Sequence, residues 1–486
     1  KQTVYEDVVA LCLELDQPIQ GLEYAERAKS RALLDLLAYR LDLSIHTRRA
    51  EDSGLAEELM RLRTQRDRVY RRWEASDELR VRGSSPCDEQ HEVRRNVLAL
   101  EKRITELWHK LLIRNADYAR DISLWQVHAD QGPNVQSCLD PDTALVEYFC
   151  THQQFVAFVV TADEVYARRL PLDIATVRRL AQLLRLNLKA VPRSQPRRIQ
   201  HLLANAQGLL FKLYELLVAP LSDILAPYSH LCVVPHGPLH YLPFHALYDG
   251  HSYLLERYEI SHIPAASLLR YCLPTKVGSS TVGSTRSAAQ PATSGLLAFG
   301  HSYGGRLAHT VQEARTIASL LGGQAFVEEE ATQERLERTG ADYRALHLAT
   351  HGDFRPDNPL FSGLVLADGW LTTLDAFDLH FNASLITLSA CQTGQSVIGG
   401  GDELLGLMRA FLYAGTASLL LSLWVVEDRS AAQLMEAFYL KLAQGCRKGA
   451  ALRHAQLQFI NKQGAGEYAH PYFWAPFFLV GDAGPL

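Results

Sequence analysis

Apolar positions recur at helical spacing through the first quarter of the chain and mostly at strand spacing in short blocks thereafter. Residues 1–125 read as helical. Tyr24, Ala25, Ala28, Ala32, Leu36 and Leu37 fall on one face, and Val93, Val97, Leu100, Ile104, Leu107 and Leu111 alternate spacings of four and three without a break. Such alternation makes a seam for another helix. Leu55, Leu59, Leu62, Val69 and Trp73 give a matching, interrupted seam, and the turn residues of Arg82–Gln90 lie between the two. The pattern predicts a helical hairpin, which either packs on its own domain or serves as an arm for a partner or for regulation.

The period changes after residue 140. Strands fit Ala144–Phe149, Phe155–Thr161, His230–Val234 and Tyr258–Ile263, with helices near 174–190 and 198–218. Residues 273–294, rich in Ser, Thr, Gly and Pro, read as a flexible linker or loop and an exposed candidate for cleavage. Beyond it, strands fit Gly295–Phe299, Ala325–Val327, Ala345–Thr350, Gly363–Leu366, Leu385–Ala390 and Ser418–Val425. Helices fit 311–321, 403–414, 428–443 and 448–462. Alternation of this kind predicts an α/β fold with a mainly parallel sheet and helices on both faces. The expected organisation is a helical region at 1–125, an α/β unit at 140–272, the linker at 273–294 and a second α/β unit at 295–482.

Composition narrows the class. The 486 residues are 47% apolar and 21% charged, with a net charge of −5, the balance of a globular protein. No basic stripe suggests nucleic acid. No apolar run reaches the roughly 20 residues of a membrane helix. The chain begins on Lys1 inside an apparent helix, with no signal-peptide pattern, and reads as a piece of a longer polypeptide. Eight scattered cysteines without a CxxC pair suggest neither a disulfide framework nor a zinc site, so a cytoplasmic setting is expected.

In such a sheet, ligands gather at the carboxyl ends of the strands. The strand at 345–350 runs into His351-Gly352, and the strand at 385–390 runs into Cys391. Residues 353–384 are long enough for the crossover between parallel neighbours. A free thiol is mostly protonated at neutral pH, and an adjacent imidazole can take its proton. Gly352 and Gly394 would let a substrate backbone approach and leave N–H groups to face an oxyanion.

His347-Leu-Ala-Thr-His-Gly352 and Leu388-Ser-Ala-Cys-Gln-Thr-Gly394 resemble the signature blocks of the CHAT domain, a caspase-like peptidase domain often fused to tetratricopeptide repeats. The resemblance continues through Asn358–Asp368, Gly401–Gly415, Ser422–Trp424, His470–Pro476 and Val480–Asp482, with Val234–Phe244 upstream. Ala25–Ala28 and Arg31–Leu37 resemble the end of a repeat array. It implies a caspase-like sheet in which the 140–272 unit is a non-catalytic relative of the 295–482 unit. It also implies a dyad rather than a triad: His351 as general base and proton donor, Cys391 as nucleophile, and the backbone N–H groups of Gly352 and Cys391 as the oxyanion hole. Asp353 is given no orienting role. Related enzymes often hold the side chain before the cut with a carboxylate, which makes Asp402, Glu427 and Asp428 pocket candidates. Their plainer roles are an N-cap for Asp402, a cap for Asp428 and a solvated loop charge for Glu427.

Gly300-His-Ser-Tyr-Gly304 competes as a nucleophile elbow with Ser302, but an elbow needs a helix directly after the serine, and helical spacing resumes only near Val311. His236, His240 and His245 lack the spacing of metal ligands and read as core or surface histidines. Gly399–Gly401 precedes a helix without the Lys-Ser/Thr of a phosphate loop. The expectation is a cysteine endopeptidase acting on a protein or peptide, needing no cofactor or metal. An activating partner would work through the helical region. The alternatives are a zymogen or catalytically silent binding module, and a serine hydrolase.

Overall fold

Strands buried on both faces read as near-continuous apolar runs, and those runs set the frame of the protein. The computed structural model describes residues 2–37, 54–55, 57–66, 68–70, 95–107, 135–272, 293–353, 355, 358–392, 402–424, 427–461 and 468–486. The expected turn at 82–90, the linker at 273–292, Val93, Leu111, Trp73, Gly394 and Gly399–Gly401 lie outside them.

The first half of the sheet holds β1 (Thr143–Thr151), β2 (Gln154–Val160), β3 (Val165–Asp173), β4 (His230–Val234) and β5 (Glu259–His262). The second holds β6 (Thr293–Gly300), β7 (Gln324–Val327), β8 (Tyr343–Asp353), β9 (Gly363–Leu366), β10 (Gly369–Thr372), β11 (Leu385–Gln392), β12 (Ser418–Ser422) and β13 (Phe477–Gly481). The main order is β7-β6-β8-β11-β12-β13-β5-β4-β1-β2-β3, with the β9–β10 hairpin attached to the end of β8. β7 through β12 run parallel, as do β13, β5, β4 and β1, and the two blocks meet in the antiparallel β12–β13 pair. The fold is thus α/β with a mainly parallel sheet. β3, β10 and β13 were not anticipated; β3 carries exposed Arg168 and Arg169 on an edge, which hides its strand character.

Alternate residues face opposite layers, as the pleat requires. Ala144, Val146, Leu296, Ala298 and Ala345 join one core that runs beneath both halves. It is covered by α3 (Ile174–Ala190), α4 (Pro196–Leu217), α5 (Thr310–Leu320), α7 (Asp428–Ala443) and α8 (Lys448–Asn461). The opposite face divides. α6 (Asp402–Tyr413) covers Leu297, Leu346 and Ile386 of the second half. On the first half, α1 (Gln2–Glu14) and α2 (Pro18–Leu37) cover Leu145, Phe149 and Phe158. Glu26 of α2 accepts the backbone N–H groups of Ala266 and Ser267 at 3.0 and 2.7 Å, and Lys29 pairs with buried Glu147 at 3.0 Å.

Candidate active site

The site is built on two neighbouring parallel strands. β8 and β11 stay in register over eight residue pairs, from Leu385 opposite Ala345 to Cys391 opposite His351 and Gln392 opposite Gly352. Adjacent strands lie about 4.8 Å apart, so the register puts the backbones of Cys391 and His351 side by side. Below them, a buried polar network ties the strands to their helices. His347 faces Glu313 of α5 at 2.9 Å and the Tyr439 hydroxyl of α7 at 3.2 Å, and Tyr439 donates to Thr387 of β11 at 2.7 Å. Its members rise from β8, β11, α5 and α7, so it fixes the depth at which both strand ends emerge.

His351 is held by aromatic rings. Tyr303 stacks on the imidazole with centroids 4.4 Å apart and planes 6° from parallel. Trp370 of β10 meets it edge-on at 6.2 Å. Arg306 packs over the Tyr303 ring at 4.9 Å. Burial, with the Arg306 charge as the lesser cause, pushes the His351 pKa down to about 4. The imidazole is therefore neutral at pH 7 and able to accept a proton.

The loop that delivers Tyr303 is over-determined. Gly300 ends β6 where a Cβ would meet Ala314 of α5 at 2.8 Å and the Thr310 carbonyl at 3.0 Å, so only glycine lets the helix lie this close. His301 N–H donates to Ala349 of β8 at 3.0 Å, and Ser302 N–H to the Glu328 carboxylate at 3.2 Å. The Ser302 hydroxyl accepts the Gly305 N–H at 3.0 Å, and Leu307 N–H closes on the Ser302 carbonyl at 3.0 Å. These bonds hold Tyr303 at φ +52°, a left-handed conformation that costs a non-glycine residue about 1 kcal/mol or more. They also account for the G-x-S-x-G motif. α5 begins at Thr310, eight residues beyond Ser302, so the elbow geometry is absent and the serine hydroxyl serves the turn.

Gly352 is buried with neighbours on both sides, Gln392 of β11 and Leu364 of β9. The pocket candidates are not brought together by any described contact. Asp402 and Asp428 are the first residues of α6 and α7. The N-cap of α7 is Glu427, one residue before the cap expected at Asp428; its side chain is exposed and makes no capping bond. His240 and His245 are buried, and His245 contacts the Ala475 carbonyl at 3.0 Å. No group of three or more potential metal ligands occurs among the described residues, and no described helix is long and apolar enough to cross a membrane.

Sequence reasoning missed the way the helical arm grips this site. Helical residues 57–66 and 95–107 pack Leu59, Leu62, Ile104 and Leu107 onto Phe361 and Leu374 of the second half. The seam includes charge. Arg66 pairs with buried Asp375 at 3.0 Å. Glu101, fully buried, accepts from Tyr70, from Arg355 and, at 3.0 Å, from Asn358, in the segment that follows His351. Tyr70 meets Trp370 edge-on at 6.0 Å, so a chain of rings leads from the arm to the imidazole. A signal existed: Glu101 is four residues after Val97 and three before Ile104, and Arg66 is four after Leu62. Both charges occupy core positions of their helices.

The chain is similar to tetratricopeptide repeat protein 28 of Mus musculus, with 28% identity over 342 residues, covering 60% of this chain and 14% of the relative. It thus spans only about a seventh of that relative's length. Among solved structures it is similar to the separase–securin complex of Saccharomyces cerevisiae, at 12% identity and a TM-score of 0.46, over 98% of this chain and 44% of that one. It is also similar to the Arg-specific cysteine proteinase gingipain R, at 10% identity and a TM-score of 0.36, over 58% and 68% of the two chains. The CHAT domain model matches residues 207–482, from α4 in the first half through β13, and encloses both His351 and Cys391. With more than half its length in that match, the chain belongs to the CHAT domain family.

Proposed function

We propose that this chain is a caspase-like cysteine endopeptidase that cuts a protein or peptide with His351 as base and Cys391 as nucleophile. The observation that carries the reading is the register of Cys391 against His351 at the carboxyl ends of adjacent parallel strands, inside the CHAT match. The Cys391 thiol passes its proton to the neutral His351 imidazole as sulfur attacks the scissile carbonyl. The backbone N–H groups of Gly352 and Cys391 receive the developing oxyanion. His351 then returns the proton to the leaving amine, and water releases the acid from the thioester. Asp402, Glu427 and Asp428 are the candidates for holding the side chain before the cut. No step calls on a metal or cofactor, and a reducing cytoplasm would keep the thiol free.

The grip of the arm on Arg355 and Asn358 supports control of this site through the helical region, by the region itself or by a protein that binds it. A peptide library screened with the wild type, Cys391→Ala and Ser302→Ala, with and without iodoacetamide, tests the reading. Turnover abolished by Cys391→Ala and by iodoacetamide, and kept in Ser302→Ala, is expected. Turnover that survives Cys391→Ala overturns it. A folded wild type that turns over nothing, even with the arm displaced, leaves the chain a binding module.

A further inference from the structure

We propose that Tyr303 is a positioning residue of the site, orienting the His351 imidazole by ring stacking. The inference rests on the dyad reading for its catalytic consequence, though the contact itself does not.

A histidine side chain turns about two torsions, and a base that swings out of line loses rate steeply. On β8, the protein supplies planes. A ring 4.4 Å away and 6° from parallel removes tilting of the imidazole, and the Trp370 edge at 6.2 Å closes a second side. The stacked plane leaves the ring nitrogens at the rim, where proton transfer takes place. The loop around Tyr303 shows why the contact is more than incidental packing. Tyr303 sits at positive φ, followed by Gly304 and Gly305 also at positive φ, and bonds from Ala349, Glu328 and Ser302 hold that turn. A surface loop with two glycines could relax; this one is strapped to β8 two residues before His351, through the His301–Ala349 bond.

The groups around His351 make the consequence measurable. Arg306 comes from the loop after β6, Cys391 from β11 and Asp353 from its own strand, while Trp370 carries no charge. Tyr303 shields one face from water and brings Arg306 near, and both effects favour the neutral imidazole. Removing the ring admits water and loosens Arg306, so the imidazole should recover much of its ordinary basicity.

The test is histidine-selective NMR of the full chain, with His351 assigned from His351→Gln. The His351 pKa is read in the wild type, Tyr303→Phe and Tyr303→Ala. Tyr303→Phe, which keeps the plane, is expected to hold the wild-type value. Tyr303→Ala is expected to raise it by at least about one unit towards the usual histidine range. An unchanged pKa in folded Tyr303→Ala, or an equal rise in both variants, overturns the proposal. On a cleavable peptide, Tyr303→Ala should lower kcat roughly 10- to 100-fold, with little change in KM and an acid limb moved to higher pH, while Tyr303→Phe restores all three. Loss of KM alone would assign Tyr303 to substrate contact and overturn the positioning role. If no form of the protein cleaves peptide, the peptidase reading fails while the NMR comparison still decides whether Tyr303 governs His351.

Discussion

The two halves of the sheet place a His-Gly pair beyond corresponding parallel strands, and they treat it differently. In the first half, β4 leads to His236-Gly237; in the second, β8 carries His351-Gly352. His236 packs edge-on against Phe149 at 4.9 Å, and burial pushes its pKa down to about 3. The neighbouring strand β5 runs into His262-Ile263-Pro264, with no thiol, and those three residues are buried, as are Leu242 and Phe478. His351 instead has a cysteine in register, a stacked tyrosine on a strapped loop, and an arm that reaches the segment beyond it. Both histidines are half-buried, so similar strand ends differ in what lies beside them: the buried His262-Ile263-Pro264 segment in one half and Cys391 in the other. The side chains arriving from other elements make the difference, not the strands.

The largest expected effect separates the two histidines. His351→Ala or Cys391→Ala should lower peptide turnover by a factor on the order of 10³ or more, whereas folded His236→Ala should stay within a few-fold of wild type. Equal losses at both positions, in variants matched for stability, would erase the distinction between the halves.

The arm provides the next. Glu101→Ala removes the acceptor shared by Tyr70, Arg355 and Asn358 and should weaken arm docking by about 3 kcal/mol, because hydrogen bonds to a buried carboxylate are lost. Hydrogen exchange should then rise in residues 358–374 and remain unchanged across β1 and β4. Exchange that rises equally in both halves would mean that Glu101 supports the whole fold rather than the second half.

Acid should act mainly on the first half. Burial lowers the pKa of His230 and His245 to about 4 and of His262 to about 3. These groups are neutral when folded but take up protons when unfolded, so stability holds above about pH 6.5 and falls as pH drops towards 4. Urea unfolding at pH 7 and pH 5 should show that loss, and His262→Phe should reduce it. The smallest effect is expected at Ser302. Ser302→Ala removes one turn hydrogen bond, worth about 1 kcal/mol, and should leave turnover within a few-fold.

Much of this was legible in the chain. The strand at His230–Val234 and the helices near 174–190 and 428–443 fall where periodicity put them, because long apolar runs between turn residues have few alternative structures. β10 and β13 were not read from the chain; β10 pairs with β9, and β13 bridges β12 and β5. The arm's leucine seam was readable, but its charged members were passed over. Glu101 and Arg66 become buried only because Arg355 and Asp375 wait on another part of the chain.

The sequence by itself determined the parallel α/β frame, the His-Gly and Cys strand ends and the family to which they belong. Local periodicity and contiguous motifs carry that information within a few dozen residues. Only the tertiary structure decided that Cys391 lies in register with His351, that Tyr303 covers the imidazole, and that Glu101 reaches the segment beyond it. Each is a meeting of residues 40 to more than 250 positions apart, and contacts at such separation are fixed by sheet order and layer packing, which no local pattern encodes.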